Sequence, residues 1–185
     1  MKRTRLFLSV IAWLLIVPLG ALGQHSFGHQ MRLPILWGGS WYWTTNIPNG
    51  SLPALIVYQI DGSINGSDTA MFGGTPMNPF RYTPLHGVWH QTGRHQFAGT
   101  SLFLRFDPAT NKLVGIARAR SQFAFTHDFD HIAGTMLLDV LPCPTPATCP
   151  DPLAKDANWQ PYNLPPIPNE FTFQAVRINL VPISE

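Results

Sequence analysis

The sequence predicts an all-β protein that forms an eight-stranded, antiparallel, up-and-down barrel. Short runs of β-branched and aromatic residues recur along the chain, and 18 prolines and 15 glycines interrupt them. Tight turns join most neighbouring runs in sequence order, as in an antiparallel meander. A meander of this many strands removes its exposed edges most easily by closing into a barrel.

The predicted strands follow one another along the chain, and several end at residues that favour turns. The sequence Asp61-Gly62-Ser63 ends the second strand, Gly93 ends the fourth, and Pro108 occupies the corner of the turn after the fifth. The eight predicted strands cover residues 37–45, 55–60, 64–72, 86–91, 97–107, 113–125, 131–141 and 171–181.

A proline-rich segment, 142–169, separates the last two strands and carries the only two cysteines of the chain. It is too long for a plain connector, so we expect either a lid or a strap across the surface. Cys143 and Cys149 are six residues apart, and no further metal ligands lie near them at the usual spacing. In an oxidising compartment we predict that they form a disulfide that closes a small ring, with two free thiols as the alternative.

The first 23 residues have the three parts of a secretory signal peptide. Basic residues precede an apolar run over 6–19, and Ala21 and Gly23 occupy the −3 and −1 positions of a cleavage site. The run is short for a bilayer span, although an uncleaved anchor is the alternative. We predict a secreted or periplasmic protein with one domain over 24–185 and no stable membrane anchor.

The charge of the remaining chain excludes some classes of partner. Twelve Lys and Arg oppose ten Asp and Glu, and three of the twelve are Lys2, Arg3 and Arg5 of the leader. The nine that remain nearly balance the acidic residues, and no basic run is present. Such a protein is not expected to bind nucleic acid or an anionic membrane surface by charge.

The first and last strands carry residues that resemble the lipocalins. Gly39-Ser40-Trp41 has the Gly-x-Trp form found at the start of that family, and Arg177 stands where lipocalins place a basic residue over this Trp. The chain also resembles a functionally uncharacterised group of secreted bacterial calycin-like barrels. The ordered series that carries this second resemblance is Gly87-Val-Trp-His-Gln-Thr-Gly93, Phe97, Phe103, Phe106-Asp107, Gly115, Arg118-Ala-Arg120 and Gly134-Thr135.

The resemblance implies a calycin-like barrel in which Trp41 and Arg177 close one end through a cation–π contact. It also implies a small apolar or amphipathic ligand inside the barrel and no cofactor. Aromatic residues on the predicted strands form the expected lining, with two arginines as polar anchors if they point inward. These predicted ligand-binding residues are Trp89, Phe103, Phe123, Phe125, Phe173, Arg118 and Arg120.

The strand over 113–125 leaves open which of its faces is inside. One face carries small residues such as Ala117 and Ala119, and the other carries Arg118 and Arg120. Inward arginines would bind a carboxylate or another anion, whereas outward arginines would be ordinary surface residues.

Two other functions stay open at this stage. An inward His90 beside Arg118 or Arg120 would supply the acid–base group and the cation of a cofactor-free cyclase or isomerase. A barrel filled with side chains would instead suit an oligomeric, structural role in the cell envelope, so a homo-oligomer is a further expectation.

The histidines do not predict a metal site. His86 and His90 share a strand face but lie about 13 Å apart, which no single ion bridges. His127 and His131 flank a turn that contains Asp128 and Asp130. These four residues could approach an ion, but such a turn is more often a plain polar hairpin tip. The sequence also lacks a nucleophile elbow and a phosphate-binding loop.

Overall fold

The structure is a computed structural model that describes residues 37–48, 50–72, 79–162 and 169–179. Two short 3-10 helices, Thr69–Phe72 and Pro146–Thr148, accompany the strands. The strands are β1 Gly39–Ile47, β2 Gly50–Tyr58, β3 Ser63–Asp68, β4 Arg81–Tyr82, β5 Leu85–Gly93, β6 Gln96–Phe106, β7 Leu113–Phe125, β8 His131–Pro142, β9 Gln160–Pro161 and β10 Glu170–Arg177.

Eight of these strands form a closed antiparallel barrel, as the sequence predicts. Each barrel strand pairs with the next along the chain, in the order β10-β1-β2-β3-β5-β6-β7-β8. The pairing of β10 with both β1 and β8 closes the ring, with Ala175 opposite Trp43 on one side and Ile132 on the other. The all-β, up-and-down fold class is therefore confirmed.

The two strands outside this count are short and were not predicted. β4 pairs with β6 beyond the start of β5, and β9 pairs with β8 beyond the start of β10. Both lie at the same end of the barrel, which we call the Tyr82 end. The opposite end, which carries Trp37 and the β7–β8 turn, is called the Trp37 end.

Several predicted strands differ from the observed ones in their limits. β2 begins at Gly50, five residues before the predicted start, because residues 50–54 pair with β1 although they form no apolar run. β3 ends at Asp68, where a 3-10 helix begins, and β10 ends at Arg177. Trp37, which was predicted to begin the first strand, precedes β1 and is fully buried.

Alternate residues of each strand point into the barrel and form its core. On β7 this inward face carries the small residues and Phe123, while Arg120 and Gln122 on the other face are exposed. The largest cluster of buried apolar residues comprises Trp37, Trp41, Trp43, Ile56, Tyr58, Ile64, Trp89, Phe97, Phe123, Ile132, Phe173 and Ala175.

The segment after β8 runs first as a strap on the outside of the barrel. Cys143 and Cys149 form the predicted disulfide. Cys143 packs in a second cluster with Ile116 and Leu141, which point outward from β7 and β8, and Trp159 packs against this cluster. The chain then reaches the Tyr82 end, where Tyr162 is buried.

The predicted signal peptide over 1–23 lies outside the described residues. Within the described part of the chain, no helix has the length and apolar character needed to cross a bilayer.

Candidate functional site

Aromatic side chains fill the interior at the Trp37 end. The ring of Trp37 is stacked on Trp41, Phe97 and Phe123, with centroid distances of 4.8, 4.6 and 4.8 Å. The Trp37 side chain has no exposed surface, so aromatic rings fill the barrel at this end.

Arg177 covers the Trp37 end, in the place that the lipocalin resemblance implies. Its guanidinium carbon lies 4.5 Å from the centroid of the Trp41 ring. The same guanidinium donates to the Gly38 and Phe129 carbonyl oxygens at 2.8 and 3.1 Å and pairs with Asp130 at 3.0 Å. Arg177 therefore ties the chain before β1 to the β7–β8 turn.

Most of the predicted ligand-binding aromatic residues belong to the packed core at the Trp37 end. Trp89, Phe123 and Phe173 are buried there, and Phe125 packs against them. Phe103 alone lies near the Tyr82 end, with its ring centroid 5.1 Å from that of Tyr82. The structure thus separates Phe103 from the other four, and a role in ligand binding stays a prediction for all five.

Arg118 and Arg120 lie on the outer face of β7, so they are not anchors inside the barrel. Both guanidinium groups donate to the carboxylate of Asp139 on β8, at 2.8–3.2 Å. The ring of Trp159 lies over Arg118, 4.1 Å from its guanidinium carbon. Arg118 and Arg120 do not point inward, because the opposite face of β7, which carries the small residues, faces the interior.

His90 also points away from the interior. It alternates with the buried Trp89 on β5 and is exposed on the outer face. The cyclase or isomerase hypothesis required His90 and an arginine to face inward together. Because His90, Arg118 and Arg120 all lie on the outer face, this catalytic arrangement is absent.

Polar side chains instead meet inside the barrel at the Tyr82 end. Tyr82 of β4 pairs with Arg105 of β6, so their side chains lie on the same face of the sheet. The hydroxyl of Tyr82 lies 3.4 Å from that of Tyr162, and both tyrosines are buried. Asp68 at the end of β3 is close enough to affect the ionisation of Tyr82. We call Asp68, Tyr82, Arg105 and Tyr162 the Tyr82 cluster.

The electrostatics of the Tyr82 cluster keep the Tyr82 hydroxyl protonated. Burial raises the pKa of Tyr82 well above its usual value, and the neighbouring Tyr162 and Asp68 add to the rise. The positive charge of Arg105 opposes it. The Tyr82 O–H is used in the hydrogen bond to the Tyr162 oxygen, so the site offers the O–H of Tyr162 beside a permanent cation.

Arg105 has unused hydrogen-bonding capacity in this site. Its guanidinium carbon lies 3.5 Å from the centroid of the Phe80 ring. Its Nε is buried and donates to no acceptor among the described residues. A buried donor without a partner carries a desolvation cost of about 1–3 kcal/mol, which a bound acceptor removes.

The walls below the Tyr82 cluster differ in chemistry. Small buried residues, Ser101 on β6 and Ala117 and Ala119 on β7, line one side. Val140 and Phe171 form an apolar cluster with Tyr162 on another. A polar group at the barrel end and apolar or small walls below it make an amphipathic environment.

Sequence reasoning missed the Tyr82 cluster, although one signal pointed to it. Arg105 stands two residues after Phe103, which was predicted to point inward, so the alternation of β6 places both on one face. Tyr82 had no such signal, because its strand has only two residues and lies between Pro79 and Pro84.

The outer surface of three neighbouring strands carries exposed apolar residues. Tyr42 of β1 lies directly opposite Leu55 of β2 and Val176 of β10, and each is more than 40% exposed. The expected homo-oligomer stays a prediction.

No protein family, curated protein or solved structure matches the chain.

Proposed function

We propose that the protein is an exported, lipocalin-like barrel that binds one small amphipathic molecule at its Tyr82 end. The single observation that carries this proposal is the buried Nε of Arg105, which has no acceptor among the described residues. A buried arginine with a free donor is suited to a carboxylate or a similar acidic head group.

The surroundings of Arg105 suit the two parts of such a molecule. The Tyr82 hydroxyl donates to that of Tyr162, so the O–H of Tyr162 is the second donor for the head group. Ala117, Ala119 and Val140 are buried on the inward face below and suit an alkyl or aromatic tail. The Cys143–Cys149 disulfide is consistent with an oxidising compartment outside the cytosol.

Dodecanoate and dodecanol test the head-group preference, because they share one chain length and differ in the head group. We expect calorimetry to give one dodecanoate bound per protein, about tenfold more tightly than dodecanol. A tenfold preference corresponds to about 1.4 kcal/mol, within the range of one charge-assisted hydrogen bond.

The variant Arg105→Gln removes the cation and is expected to abolish the preference for dodecanoate. Arg81→Gln is the matched control, since Arg81 is the exposed neighbour of Tyr82 on the same strand. Failure of the wild-type protein to bind either compound would overturn the proposal for this ligand class. Equal binding by wild type and Arg105→Gln would exclude the Tyr82 cluster as the head-group site.

A further inference from the structure

The turn between β7 and β8 brings two imidazoles and a carboxylate together on the surface at the Trp37 end. Nδ1 of His131 lies 2.8 and 2.9 Å from the two carboxylate oxygens of Asp128. Nε2 of His127 lies 3.4 Å from Oδ2 of the same carboxylate. One ligand atom from each of the three side chains lies within 4.8 Å of the other two.

The conformation of the turn brings the three side chains together, which their spacing in the sequence does not show. The imidazole rings of His127 and His131 stack face to face with centroids 4.6 Å apart. Oδ1 of Asp128 also accepts the backbone N–H of Asp130 at 2.8 Å, which fixes the carboxylate above the turn. The three side chains therefore converge on one point above the turn.

The other acidic group of the turn is already engaged. Asp130 pairs with Arg177 at 3.0 Å, and Arg177 also donates to the Phe129 carbonyl at 3.1 Å. Arg177 thus holds the backbone of the turn against the barrel while Asp128 stays with the two histidines. This separation leaves one carboxylate and two imidazoles as a compact donor set.

We propose that His127, Asp128 and His131 bind a divalent transition-metal ion such as Zn²⁺, Ni²⁺ or Cu²⁺. Two imidazole nitrogens and one carboxylate oxygen suit these ions, whereas Mg²⁺ and Ca²⁺ prefer oxygen ligands alone. Ligand atoms that bind one ion at about 2.0–2.2 Å lie closer to one another than the observed limit of 4.8 Å, so a side chain has to rotate when the ion binds. His127 is 70% exposed and can make the required rotation.

Three protein ligands leave at least one coordination position of the ion open to water or to an outside group. The ion would join the end of β7 to the start of β8 beside Arg177, at the closed end of the barrel. We therefore expect the metal to stabilise the folded protein as well as bind to it.

Calorimetric titration of the tag-free protein with ZnCl₂ at pH 7.5 tests the proposal. We expect one ion per protein, and an increase in Tm of about 5 °C at a hundredfold excess over Kd. With Cu²⁺ as the probe, electron paramagnetic resonance should show coupling to two imidazole nitrogens. Mg²⁺ at the same concentration should change neither the heat nor the Tm.

The variants His127→Ala and Asp128→Asn should each weaken Zn²⁺ binding by about tenfold or more. His127→Ala leaves the Asp128 contacts that hold the turn, so its unfolding curve without metal should match that of the wild type. His90→Ala is the control, because His90 is an exposed histidine of β5. The proposal is overturned if the wild type binds no Zn²⁺, or if His127→Ala binds it as tightly as His90→Ala does.

Discussion

Tyr82 and Tyr162 are 80 residues apart in the sequence and bring their hydroxyl oxygens to within 3.4 Å at one end of the barrel. Tyr82 follows the 3-10 helix after β3, and Tyr162 follows the strap after β8. The two irregular connections therefore meet at the Tyr82 end. This meeting encloses Arg105, which would otherwise lie at the open rim of β6.

The buried tyrosines predict a loss of stability at alkaline pH. Burial raises the pKa of both Tyr58 and Tyr82, so the folded protein keeps these protons where the unfolded chain, with tyrosine pKa values of about 10, releases them. Their contribution is fully present below about pH 10. Above it, each tyrosine lowers the free energy of unfolding by about 1.4 kcal/mol per pH unit.

Urea unfolding at pH 9 and pH 11 measures this effect. We expect the wild type to lose stability between the two pH values, and Tyr82→Phe to lose about 1.4 kcal/mol less, because one titrating group is gone. An identical loss in the two proteins would show that Tyr82 is not buried as described.

The packing of Trp37 predicts a large effect of truncation at the closed end. Trp37→Ala removes a fully buried ring that stacks on Trp41, Phe97 and Phe123, and should lower the free energy of unfolding by about 3–5 kcal/mol. Urea denaturation followed by far-ultraviolet circular dichroism measures the change. Trp159→Ala, on the outer strap, should cost less; an equal or smaller loss for Trp37→Ala would contradict its place in the core.

The disulfide of the strap predicts a moderate contribution to stability. The bond between Cys143 and Cys149 closes a ring of sequence separation six, for which the chain-entropy relation gives about 2 kcal/mol. The double variant Cys143→Ser/Cys149→Ser should therefore unfold at lower urea and still form the barrel. Dithiothreitol should shift the wild type to the same midpoint and leave the variant unchanged. A midpoint equal to that of the oxidised wild type would show that the ring contributes nothing.

The contacts of Asp139 predict that electrostatic interactions help to hold the strap against the barrel. Its buried carboxylate accepts from both Arg118 and Arg120, and Arg118 in turn lies under Trp159. Because the arginine side chains are 24% and 47% exposed, solvent screens the pairs and Asp139→Asn should cost only about 1–2 kcal/mol. Limited proteolysis should cut the strap faster in this variant than in the exposed control Asp156→Asn; equal rates would contradict the link.

The fold was predictable because the alternation of apolar and polar residues and the turn residues determine the conformation of short, local segments. The turn at Gly62 has a φ of 91°, a conformation that favours glycine, and the sequence places this glycine between two apolar runs. The closure of the ring follows from the number of consecutive antiparallel strands. The start of β2 at Gly50 was harder to predict, because residues 50–54 continue the strand by pairing with β1. The end of β3 at Asp68 was also harder to predict, because a 3-10 helix begins at Thr69 within the predicted strand.

The inward face was not predictable from β7 and β8 alone. Ile116 and Leu141 point outward, yet they are buried because the strap covers them. Apolar residues therefore occur on both faces of these strands, and alternation alone does not tell which face is inside. The cover comes from a segment whose path depends on long-range contacts, and the same limitation hid the meeting of Tyr82 and Tyr162.

The position of a bound amphipathic molecule tests the central claim most directly. Nuclear Overhauser effects between the alkyl protons of dodecanoate and assigned aromatic protons of the protein report that position. We predict contacts to the rings of Tyr82 and Phe103 and none to Tyr42, which is exposed on the outer face. Contacts to Tyr42 without contacts to Tyr82 would contradict a binding site inside the barrel.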